Sequence, residues 1–81
     1  MQEIFFDTNA GDWSGGYFLW FDSSKIDLSK IEGGPKDGMH VILVHDDGDP
    51  VFIEAVLFYS DEYMTWMGRP LRLLERPTSL R

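Results

Sequence analysis

Met39-His40-Val41-Ile42-Leu43-Val44-His45, then Asp46-Asp47-Gly48-Asp49-Pro50, then Val51-Phe52-Ile53-Glu54-Ala55-Val56-Leu57-Phe58-Tyr59, is the stretch that decides the fold. Two runs rich in β-branched and aromatic residues flank an Asp-Gly pair, which is the local signature of a β-hairpin. Side chains alternate across a strand. Met39, Val41 and Leu43 therefore share one face, and Val51, Ile53, Ala55, Leu57 and Tyr59 share one face of the returning strand. Pro50 has no backbone donor, so the ladder is expected to open at that end.

Working outward, turn residues recur about every 8–12 positions, the rhythm of a small all-β domain. Residues 4–6 start a first strand, and residues 8–16 form a glycine-containing loop. Residues 17–21, Tyr-Phe-Leu-Trp-Phe, are apolar on both faces and read as a buried central strand. Ser24 and Asp27 have capping-box spacing, and Leu28 with Ile31 has helical spacing. Residues 24–31 are thus expected to form a short helix or a single turn, ended by Gly33 and Gly34. Residues 64–67 read as another strand, broken by Gly68-Arg69-Pro70, before a last apolar segment at 71–74. Residues 76–81 are expected to fray.

The expected fold class is mainly β, or α+β with one short helix. The expected architecture is a small antiparallel barrel or bent sheet of five to six strands in one domain over residues 1–81. Over residues 16–75, the order of long loop, tight hairpin and second short turn resembles the layout of SH3-like barrels. The resemblance implies ligand grooves between the long loop and neighbouring turns.

The 81 residues suffice for one domain. The six Phe, three Trp and three Tyr give a small core a large apolar area. There is no Cys, which excludes disulfides, thiolate metal sites and a cysteine nucleophile. Neither a signal peptide nor a membrane-spanning run is visible, so a cytoplasmic location away from membranes is expected. Charge is polarised. Residues 1–62 hold 13 carboxylates against three lysines, and residues 63–81 hold Glu75 against four arginines. Such an acidic body repels phosphate backbones and attracts basic partners, so direct nucleic-acid binding is not expected.

No arrangement of residues points to catalysis, a metal or a cofactor. The cluster His45-Asp46-Asp47-Gly48-Asp49 lacks the alternating oxygens of a calcium loop and reads as a charged hairpin tip. His40 and His45 are five apart and point to opposite faces. His40 is expected to be partly buried and hydrogen-bonded. Gly11-Asp12-Trp13-Ser14-Gly15-Gly16 resembles the Gly-Asp-Ser-Gly-Gly stretch of chymotrypsin-like proteases, but Trp13 interrupts it and would displace the nucleophile. Glu54 interrupts an apolar face and is expected to pair with Arg69 or Arg72. The arginines at 69, 72, 76 and 81 either bind an anion or neutralise the acidic body.

The expected binding residues are Trp13, Asp12, Asp61, Tyr63 and Trp66: loop aromatics as anchors, with carboxylates to hold a cationic or proline-rich group, the alternative for Trp13 being that it folds back to cap one end of the barrel. The reading is a noncatalytic protein–protein interaction module with a protein partner, basic in character. Its alternatives are a structural homo-oligomer such as a homodimer, and an inhibitor, immunity or decoy protein that neutralises a basic partner.

Overall fold

A computed structural model describes residues 1–46 and 48–75. The elements are β1 (Glu3–Phe5), β2 (Gly11–Asp12), β3 (Gly16–Phe18), α1 (Asp22–Ser29), β4 (His40–His45), β5 (Val51–Ser60) and β6 (Thr65–Leu74). The strands form one sheet in the order β1-β4-β5-β6-β3-β2. The mainly β class and the short helix are therefore present. The sheet is mixed rather than antiparallel, because β1 runs parallel to β4. It is also not closed into a barrel.

The β4–β5 hairpin forms as the alternation requires, with Val41 opposite Ala55 and Leu43 opposite Ile53. His45 opposite Val51 is its last pair, so Pro50 lies outside the ladder. On β6, Pro70 does not end the strand. A register shift between Glu54 and Ala55 places Pro70 opposite Ala55 and Arg72 opposite Glu54, which leaves Leu71 as the extra residue of a bulge. The Trp66 carbonyl accepts the Leu19 N–H at 3.0 Å, so Trp66, Gly68 and Pro70 turn their backbone groups toward the β3 side. The missing donor of Pro70 thus falls at an edge where no ladder bond is needed.

The sheet is strongly curled. Val41, Leu43, Ile53, Ala55 and Leu57 face inward and join Ile4, Phe6, Tyr17, Leu19, Leu28 and Ile31 in the core. Phe6, just beyond β1, meets Tyr17 on β3 with ring centroids 5.0 Å apart, although several strands separate them in the sheet. Gly68 permits this curvature: a Cβ there would sit 2.9 Å from Cδ1 of Leu43, two strands away.

Residues 17–21 are not a central strand. Only Gly16–Phe18 is in β3, near the sheet edge, and Trp20 is exposed. The chain then enters α1. Phe21 is its N-cap residue and makes no side-chain cap bond. Ser24 and Asp27 do not form a capping box. They lie one turn apart on a single helix face and reach sideways to β1. Asp27 Oδ2 accepts the Phe5 N–H at 2.9 Å, and the Ser24 hydroxyl donates to the Phe5 carbonyl at 2.6 Å. These are the two Phe5 backbone groups that an additional strand would use. The helix therefore occupies the seam where a closing strand would sit, and it masks an edge otherwise open to pairing.

Candidate aromatic docking surface

The convex face of the sheet follows from the register. Directly opposite residues form four rows: Phe18, Met67 and Phe58; then Arg69, Val56 and His40; then Arg72, Glu54, Ile42 and Glu3; then Leu74, Phe52, Val44 and Phe5. Two apolar rows thus bracket two rows that carry charge. Long side chains shield the apolar rows, as the Arg69 guanidinium does over the Phe58 ring at 5.8 Å from its centroid.

In the third row, Glu54 Oε1 accepts from Arg72 Nε at 2.7 Å, and Glu54 Oε2 lies 3.5 Å from His40 Nδ1. The expected ion pair is present, with Arg72 rather than Arg69 as partner. The Arg72 hydrogen bond holds the Glu54 carboxyl below the ordinary carboxylate range against some desolvation, with His40 adding to the effect. His40 itself is exposed, contrary to expectation, because its row is on the solvent side. The half-buried histidine is His45, whose Nδ1 lies 3.0 Å from the Phe6 carbonyl and therefore carries the proton of that bond.

At the β3 end of the convex face stands an aromatic cluster. Leu19 is buried, so its neighbours Phe18 and Trp20 point outward. The Trp20 indole lies flat on the Phe18 ring, at 4.2 Å between centroids and 9° between planes. Tyr63, in the β5–β6 turn, meets Phe18 edge-on at 4.9 Å and 84°. Trp20 is 44% exposed, Tyr63 50% and the adjacent Met64 77%. Met64 holds a φ of 53°, a left-handed conformation that bulky residues avoid. A strained backbone here presents an apolar side chain to solvent.

Of the residues expected to bind, Tyr63 and Trp66 do not share a surface. Trp66 packs half-buried against the core and meets Tyr59 at 5.4 Å between ring centroids on the concave side. Trp13 is 47% exposed at the β2–β3 turn and makes no ring contact among the described residues. Asp12 is engaged locally, its Oδ1 accepting the Gly15 N–H at 2.6 Å. Asp61 is exposed beside Tyr63. The structure adds Phe18 and Trp20, which sequence reading placed inside a buried strand. The parity of 18 and 20 about the apolar Leu19 was the available signal.

A cleft of about 340 Å³ lies between β1 and α1, lined by Gln2, Glu3, Phe5, Asp27, Lys30, Val44 and Asp46. Its Asp27 already holds the Phe5 N–H and lies 3.8 Å from Lys30 Nζ. Among the described residues no group of three His, Cys, Asp or Glu is placed to hold a metal, and no helix is long and apolar enough to cross a membrane. Asp47, from the hairpin tip weighed as a calcium loop, lies outside the described residues, as do Arg76, Arg81 and the tail expected to fray. No family model, curated protein or solved structure matches the chain.

Proposed function

We propose that this chain is a noncatalytic protein-interaction module that docks a basic partner through Phe18, Trp20 and Tyr63. The observation that carries the reading is the stacked Trp20–Phe18 pair. It gathers exposed aromatic area into one cluster with Tyr63, whereas the equally exposed Trp13 makes no ring contact among the described residues, and such a cluster is a common interface anchor. The acidity of residues 1–62 supports a basic partner. Met64 adds a flexible apolar contact beside the rings. An inhibitor or decoy role is a special case of the same surface.

A homo-oligomer is the second reading. Leu71 and Leu73, 45% and 66% exposed on β6 beyond the end of β3, favour it. Pro70, the bulge and the arginines are edge-blunting features that oppose it.

Site-specific photocrosslinking in the native host tests the docking reading. A photoreactive residue at position 63 is expected to give a discrete protein adduct. The same group at position 26, equally exposed on α1, is expected to give none. Equal adducts from both positions would refute the assignment.

A further inference from the structure

We infer that the outer face of the Trp20 indole is the seat for a cationic side chain, arginine or lysine, of the docked partner. This rests on the docking surface proposed above and names the group it recognises.

The geometry of the rings comes first. Phe18 covers one face of the indole at 4.2 Å and 9°, so the exposed area of Trp20 is largely its opposite face and rim. The face of an indole carries the strongest negative quadrupole potential of any side-chain ring. Tyr63 meets Phe18 at 84°, so its plane is steeply inclined to that of Trp20, and the two form walls of different orientation.

Local charge points the same way. The segments that supply the rings, residues 14–24 and 59–68, contain Asp22, Asp61 and Glu62, all exposed, and no lysine or arginine; the cations that bound them are Lys25, exposed on α1, and Arg69, and among the described residues neither lies over the Trp20 ring. The nearest arginine along the chain, Arg69, already has its guanidinium over Phe58. The molecule thus uses the same cation-on-ring contact on the neighbouring row while leaving the better ring, Trp20, without one from its own flanking segments. Exposed carboxylates in the same segments as an exposed aromatic face favour cations over neutral apolar groups.

The test uses the full chain and acetyl-Gly-Arg-Gly-Arg-Gly-amide, with the lysine peptide in a second arm and the citrulline peptide as the neutral isostere. Indole N–H resonances of Trp13, Trp20 and Trp66 are followed by NMR, each assigned by its Trp→Phe variant. The Trp20 and Tyr63 signals are expected to shift saturably with either cationic peptide and roughly two- to fivefold more weakly with citrulline. Trp20→Leu is expected to abolish the response with the circular dichroism unchanged. Should that variant unfold, Trp20→Phe is expected to fold and bind more weakly. Asp61→Asn with Glu62→Gln is expected to weaken binding and flatten its salt dependence. An equal response to citrulline, or shifts at Trp13 as large as those at Trp20, would overturn the inference. If crosslinking from position 63 still yields a discrete adduct in that case, the docking surface stands and only the cation seat falls.

Discussion

Ser24→Ala tests the contact that seals the sheet edge. The Ser24 side chain is fully buried, and its hydroxyl donates at 2.6 Å to the Phe5 carbonyl. Removing it leaves a poorly solvated carbonyl without that donor, a loss of about 1–3 kcal/mol. Alanine recovers up to about 0.5 kcal/mol through its higher helix propensity. The net expectation is a destabilisation of about 0.5–3 kcal/mol. For a domain of this size, each kcal/mol lowers Tm by roughly 4–8 °C. Asp27→Ala removes the acceptor of the Phe5 N–H and, being partly exposed, is expected to cost about 1 kcal/mol. Because both side chains hold one residue of β1, the double variant is expected to be non-additive. It is also expected to self-associate at high concentration, since the edge is bare. Urea denaturation of the four proteins, with light scattering on the double variant, gives each quantity. A Ser24→Ala change below about 0.5 kcal/mol, together with a monomeric double variant, would refute the idea that α1 seals the edge.

Three further outcomes are expected. Met64→Gly relieves a left-handed backbone at a residue that is 77% exposed and is expected to stabilise the fold by about 1 kcal/mol, read as a higher Tm. No gain would show that the turn carries no strain. Gly68→Ala places a methyl 2.9 Å from Leu43 Cδ1 and is expected to destabilise by about 1–3 kcal/mol, with Leu43→Ala in the same chain partly relieving the clash. Equal losses in the presence and absence of Leu43→Ala would separate Gly68 from that contact. Glu54 has a lowered carboxyl pKa in the fold, so its pairing stabilises the protein above its unfolded pKa and ceases to do so as pH falls through the folded value. The Tm gap between the wild type and Glu54→Gln is therefore expected to be constant above about pH 5 and to close as pH falls below about 4. A gap independent of pH would assign the effect to packing.

The hairpin was legible because alternation and turn chemistry agreed over the same residues. The role of Ser24 and Asp27 was not. The spacing that makes a capping box also places both side chains on one helix face, and only the tertiary fold decides whether they turn inward to the helix or out to a strand. Pro70 read as a strand end because the pairing side of a residue depends on which neighbour lies there. Trp66 and Tyr63 were grouped by proximity along the chain, although an odd separation across a strand boundary already disfavours a common face. Trp20 was hidden in a continuous apolar run, where parity groups Phe18 with Trp20 but does not say which face is buried. Parallel pairing of β1 with β4 leaves no local trace at all.

That pairing has a kinetic consequence. The β4–β5–β6 meander is built from contacts between neighbours in sequence, joined by short turns, and can form early. Strand β1 must wait. Its partner β4 lies beyond β2, β3 and α1, and its outer edge is completed only when Ser24 and Asp27 arrive from the helix. Closing so long a loop is entropically costly, and its reward comes only when the N-terminal strand and the helix dock together. Substitutions at Ser24 or Asp27 should then accelerate unfolding and leave the refolding rate almost untouched, whereas truncations at Ile53 or Leu57 should slow refolding. By the same reasoning β3, whose partner β6 lies farther still along the chain, is also expected to join after the meander, so both ends of the sheet order are expected to lock late.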